Sequence, residues 1–164
     1  MFEIPPDIHP LCVPLAFLLG AWEGEGIVEY PNVRRRAFAQ RIEFGQNGKP
    51  FLHYLSRTWE IDEAGGRVRP LAMETGFWRP AEDKTLEVLL AHPTGFLEAL
   101  DGYVEGPRIE MATRKVVKVE SAKDYVRGHR LYGLVDGRLM WAYDMEAMGQ
   151  ELQPHASAEL KRTT

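Results

Sequence analysis

The chain has 164 residues, 45% of them hydrophobic and 27% charged, which is the balance of one globular domain with a real core and not of a disordered chain. The formal net charge is −4, and the one basic run, Arg34-Arg35-Arg36, sits in an alternating segment, so no basic face for nucleic acid stands out. The lone cysteine, Cys12, excludes an internal disulfide and a cysteine-rich zinc site, and no apolar run approaches membrane-spanning length.

Residues 1–8 form a proline-bearing lead-in, and Pro5-Pro6 falls where a signal core would lie, so a soluble, cytoplasmic protein is expected. From His9 to Leu19, Leu11, Leu15, Leu18 and Leu19 recur at roughly helical spacing. This predicts a short helix with Pro14 in its first turn and Gly20 at its end. After Gly20 the texture changes to strands. Turn signals recur at Asn47-Gly48, Gly65-Gly66, Pro93-Thr94-Gly95, Gly106-Pro107 and Asp136-Gly137. Between them lie aromatic and β-branched runs: Phe51 to Ile61, Leu86 to Leu90, Arg108 to Val119 and Leu139 to Met145. Ile109, Met111 and Thr113 alternate with Glu110, Ala112 and Arg114, as a strand with one buried face requires.

The pattern is all-β, about ten antiparallel strands in one domain spanning residues 1–164. So many strands in an open sheet would leave edges, so a closed meander barrel of the lipocalin or fatty-acid-carrier type is expected, with a sandwich as the other architecture. A barrel of this size tends to hold a small ligand in its interior or mouth.

Gly20-Ala21-Trp22-Glu23-Gly24-Glu25-Gly26 is a G-x-W-x-G-x-G pattern. It opens a strand and lacks the lysine-serine of a phosphate loop, so its first reading is architectural, with Trp22 plugging the end where the helix arrives. Of the five histidines, His9 belongs to the lead-in, His53 lies mid-strand, His92 precedes Pro93 in a turn and His129 lies on an outer strand face. His155 follows Pro154 among small neighbours in Pro154-His155-Ala156-Ser157-Ala158, with room for a large group to approach. By itself it reads as a bystander. Strict alternation sets His155 opposite Ala156, Ala158 and Leu160, so it reaches the lumen with them only through a bend at Pro154.

The motifs together resemble the nitrobindins, from about Pro10 to Arg162. The resemblance rests on Gly20 to Gly26, Glu29-Tyr30-Pro31, Phe44 to Tyr54, Glu74-Thr75-Gly76-Phe77-Trp78-Arg79, His92-Pro93-Thr94-Gly95, Ala122-Lys123 and His155 to Arg162. Arg130 to Val135 and Trp141-Ala142 look most like an actinobacterial branch. The resemblance implies a ten-stranded barrel holding ferric haem b at its mouth, with His155 as the axial iron ligand. It implies isomerisation of peroxynitrite to nitrate and reversible nitric oxide binding; a homodimer is a candidate assembly that the sequence leaves open. The family's haem-contacting lysine, near the start of the penultimate long strand, maps to Lys123. Two positions depart from the pattern. Asn32 stands where many members have a threonine near the haem. Leu71-Ala72-Met73-Glu74 lacks the distal histidine of many members, leaving Met73 to cap the site. The alternative function is a haem-free carrier of a fatty acid or other apolar molecule, anchored by Arg130 with Tyr132 in the lumen. Trp22, Phe38, Phe44, Tyr54 and Trp141 are candidate wall or core residues in either case.

Overall fold

The computed structural model describes residues 2–163. A short helix, Pro10–Leu18, precedes ten strands among the described residues: β1 (Gly20–Tyr30), β2 (Val33–Gly45), β3 (Leu52–Ile61), β4 (Arg67–Pro80), β5 (Thr85–His92), β6 (Phe96–Glu105), β7 (Arg108–Lys118), β8 (Tyr125–Val135), β9 (Arg138–Ala147) and β10 (Gln153–Thr163). Each strand pairs antiparallel with the next, and β10 pairs back onto β1 with Leu160 opposite Gly24, so the sheet closes into a barrel. No helix among the described residues is long and apolar enough to cross a membrane.

The helix is a 3-10 helix, tighter than an α-helix, and Pro14 lies inside it and not in its first turn. Its flanks carry the i to i+3 bonds of that geometry, Cys12 N to His9 O at 2.8 Å and Leu19 N to Ala16 O at 3.1 Å. Proline has no N–H to contribute, and Pro10 takes the first position, where none is needed. The His9 imidazole caps the helix by accepting from the Leu11 amide at 3.2 Å.

The strands alternate as read from the sequence. Leu86, Val88 and Leu90 are buried while Glu87 and Leu89 are exposed, and Ile109, Met111 and Leu139 point inward. Turn glycines Gly48, Gly65, Gly95, Gly106 and Gly137 all lie at positive φ. At Gly24 and Gly26 a Cβ would lie 2.1 Å from the Glu159 carbonyl oxygen and 2.2 Å from that of Ser157. The alternate glycines therefore let β10 lie close against β1, which is the architectural reading of the motif.

Helix and odd-to-even strand junctions put two unlike ends on the barrel. The helix and the starts of β1 and β3 lie at one end, where Cys12, Leu15, Leu18, Trp22, Phe44, Tyr54 and Trp78 join one large apolar cluster. At the other end a smaller cluster of Tyr30, Phe96, Tyr125, Met145 and Ala147 lies around the start of β10. There the ladders part: β4 meets β5 only from Thr75 onward, and β7 meets β8 only up to Ala112.

Candidate functional site at the open end

His155 stands at a β-bulge. On β9, Asp144 pairs with Pro154 and Tyr143 with Ala156, so His155 is the extra residue between them. The bulge breaks the two-residue period and turns His155 inward beside Ala156, as the bend at Pro154 required. Its ring meets the rings of Tyr30 and Tyr143 edge-on, with centroids 5.4 and 5.5 Å away. Nδ1 lies 3.2 Å from the Glu29 carbonyl oxygen. A carbonyl only accepts, so Nδ1 carries the proton and Nε2 keeps its lone pair. Burial pushes the imidazole below its ordinary value; the bond to Glu29 opposes that, and the charge of Arg130 adds to it. The ring is therefore neutral at neutral pH.

Next to this histidine lies a layer of buried polar side chains drawn from β3 to β9. The Arg130 guanidinium, 5% exposed, grips both oxygens of Glu74, with Nη1 to Oε1 at 2.5 Å and Nη2 to Oε2 at 3.0 Å. Tyr54 also donates to Glu74 at 2.8 Å. Glu98, 2% exposed, accepts from Tyr125 and Thr113 and faces His92 Nε2 at 3.1 Å. His92 in turn points Nδ1 at Glu74, 3.5 Å away, and stacks on Phe96 at 4.0 Å. Arg130 lies 4.5 Å over the ring of Tyr143, whose hydroxyl donates to Tyr125 at 3.2 Å. Buried charges persist when paired in this way. Burial alone would push Glu74 up, but the charge and hydrogen bonds of Arg130 outweigh it and hold the carboxyl at about 2. Glu98 is likewise pulled down against its burial, first by His92. Burial pushes the hydroxyls of Tyr125 and Tyr143 up, so both stay protonated.

The other sequence candidates fall in different places. Asn32 lies exposed in the turn between β1 and β2, at the His155 end. Lys123 is exposed in the loop before β8, its amide bonded to the Thr94 carbonyl at 3.1 Å. That loop is also at the His155 end, but it precedes β8, one strand earlier in the chain than the penultimate strand expected. Met73 is 46% exposed and alternates with the inward Glu74, so it faces out and does not cap the lumen. Trp22, Phe38, Phe44 and Tyr54 are core, and Trp141 donates to Gln40 across the lumen at 2.8 Å. Arg130 and Tyr132 do point inward together, 3.5 Å apart. The cation a fatty-acid carboxylate would need is already neutralised by Glu74.

The sequence pattern assigned no site role to Tyr143, Glu98 or Thr113, and made His92 a turn residue. Glu98 had a readable signal: it breaks an apolar inward series between Phe96 and Leu100. Gly128 was missed as well; a Cβ there would lie 2.5 Å from Tyr143 Cε2 and 2.8 Å from the Tyr125 hydroxyl.

These residues fit a haem iron better than a bare ion. Among the described residues no group of three or more His, Cys, Asp and Glu is arranged to hold a metal. A single neutral imidazole, anchored through Nδ1 with Nε2 free, suits a metal that brings its own equatorial nitrogens.

Fold and site thus define a class, a closed ten-stranded barrel with an oriented histidine at its open end. Residues 11–162 match the family described as "THAP4-like, heme-binding beta-barrel domain". A "Peroxynitrite isomerase" of Nocardioides sp. is 47% identical over 161 residues, covering 98% of both chains. A "Ferric nitrobindin-like protein" of Kineococcus radiotolerans is 44% identical, covering 93% of each. The crystal structure of Rv2717c from M. tuberculosis superposes with a TM-score of 0.86 at 32% identity, covering 96% of this chain and all of that one. The chain belongs to the nitrobindin-like, actinobacterial family of haem-binding β-barrels.

Proposed function

We propose that the protein binds ferric haem b at the open end of the barrel through His155 and isomerises peroxynitrite to nitrate. Relatives carrying that enzyme's name match along nearly the whole chain. The observation that carries the reading is the bulge at His155, which presents a neutral imidazole with its Nδ1–H on the Glu29 carbonyl and its Nε2 free. When bound, haem would supply an open iron position for peroxynitrite or nitric oxide.

The chain's own contribution is to hold and shield. His155 offers the nitrogen, and its depressed proton affinity keeps that nitrogen available at neutral pH. Tyr30 and Tyr143 pack edge-on against it. Lys123 and Asn32, on loops at the same end, can meet haem propionates from the rim. With Ala72 in place of the histidine of many members and Met73 turned outward, this segment offers no imidazole to an anion at the iron. Nitric oxide, which needs no such donor, would bind at the same open end.

The test is a haem titration. Wild type gives a shifted Soret band that saturates at one haem per chain, and His155→Ala, checked for an unchanged far-UV spectrum, does not. Equal titration of the two proteins removes His155 as the ligand. Displacement of an apolar fluorophore by fatty acid and not by haem would establish the carrier instead.

A further inference from the structure

A bulged residue lacks its share of ladder hydrogen bonds, so the orientation of its side chain must come from contacts beyond its own strand. At His155 these contacts are the Glu29 carbonyl on Nδ1 and the rings of Tyr30 and Tyr143. We infer that Tyr30 and Tyr143 are positioning residues that clamp the His155 imidazole in one orientation; the inference rests on the haem reading above. Both rings stand nearly perpendicular to the imidazole, at 88° and 79°. They arrive from the two strands that flank β10, so the ring is held between them.

Each tyrosine is itself anchored. Tyr30, from β1, reaches across the start of β10 to the backbone of β9. Its hydroxyl donates to the Met145 carbonyl at 2.9 Å and accepts from the Ala147 amide at 3.1 Å. One hydroxyl thus ties the two strands on either side of the bulge and fixes the distance between them. Tyr143 is anchored from the lumen. Its hydroxyl donates to Tyr125, Tyr125 donates to Glu98, and the Arg130 guanidinium covers its ring. Gly128 leaves the space in which Tyr143 and Tyr125 meet. The buried polar layer then has a definite task, which is to hold one of the two rings that orient the histidine. Outer-layer groups of this kind change metal affinity by about 10–100-fold when removed.

The variants separate ring from anchor. Tyr143→Leu removes a ring; Tyr143→Phe keeps the ring and cuts the bond to Tyr125; Tyr30→Phe keeps the ring and cuts the tie to β9. Tyr103→Phe, on the outer face with its hydroxyl on Glu110, is the control. Haem release to excess apomyoglobin is expected to quicken about tenfold in Tyr143→Leu, less in Tyr30→Phe and least in Tyr143→Phe. The iron–histidine stretch in resonance Raman spectra of the ferrous protein is expected to broaden or shift in the same order. A general loss of stability would not move that band, and melting temperatures identify any variant that fails to fold.

The apoprotein supplies a second readout. Nitrogen-15 NMR of the His155 ring is expected to show one fixed tautomer, protonated at Nδ1, in wild type and in Tyr103→Phe, and averaging in Tyr143→Leu. Folded variants with the wild-type Raman band, release rate and tautomer overturn the clamp. If wild type takes up no haem but the tautomer is fixed and lost in Tyr143→Leu, the haem reading fails and the clamp stands.

Discussion

The same ten strands end in two opposite ways. At the helix end polar side chains serve the backbone. The Trp22 indole donates to the Leu18 carbonyl at 2.8 Å, and Arg162 donates to the carbonyls of Phe17, at 2.7 Å, and Leu19. These are the orphan acceptors of a helix C-terminus, so the polar atoms complete a seal over an apolar core. At the His155 end the buried charged side chains are served by other side chains, Glu74 by Arg130 and Glu98 by Tyr125 and Thr113. Such networks are demanding, since every member must be satisfied in a low-dielectric setting. An arrangement that needs four paired ionisable side chains, Arg130, Glu74, Glu98 and His92, is explained by what it holds in place. The helix end is built for stability, and the open end is where the proposed function would put haem.

The sharpest way to break this contrast is at Trp22, which is 1% exposed. Trp22→Ala empties the plug and is expected to destabilise the fold by about 3–5 kcal/mol, read from urea denaturation. Haem affinity of the molecules still folded should stay within about twofold, because the cavity opens at the far end of the barrel. A matching loss of affinity would show that the two ends are coupled.

The second largest effect belongs to Glu74. Removing one partner of a buried pair leaves the other uncompensated, and Glu74→Gln is expected to cost on the order of 3 kcal/mol at pH 7. The pH dependence has a definite sign. The carboxyl is held at about 2 in the fold, against an ordinary value of about 4.3 in the unfolded chain. Between these values the unfolded state takes up a proton that the native state refuses. The contribution of the pair is therefore complete above the ordinary carboxylate range and is lost as pH falls toward 2. Denaturation midpoints of wild type and Glu74→Gln should converge on acidification; a constant gap would mean that the pair does not stabilise the fold.

Much of the barrel was legible because a strand with one buried face writes its period into the sequence, as Ile109-Glu110-Met111 does. The turn glycines were legible because positive φ selects them. Helix type was not, since the spacing of Leu11, Leu15 and Leu18 suits a tight helix as well as an α-helix. The site was harder to see. Glu74 and Arg130 lie 56 residues apart on strands that are not neighbours, so no local pattern links them. The bulge at His155 violates the very alternation used to read strands, and Pro154 was its one local sign. Met73 was placed at the mouth by its position in a motif, whereas the inward turn of Glu74 sends it out.

The smallest expected effect tests the rim. Lys123 is exposed, so Lys123→Ala should leave denaturation unchanged. If its ammonium meets a haem propionate, it contributes what an exposed ion pair contributes, up to about 1 kcal/mol, or roughly fivefold in haem affinity. That contribution is screened, because exposed charges interact over about 10 Å at 0.1 M salt and about 3 Å at 1 M. The expected result is a modest weakening of haem binding at low ionic strength that disappears in 1 M salt, while the loss in His155→Ala persists at both. Salt would thus separate the two kinds of contact proposed at the open end: a steering charge at the rim and a bond from an oriented, half-buried imidazole. A salt-independent loss in Lys123→Ala would mean that this loop shapes the mouth itself, and the rim would then belong with the clamp.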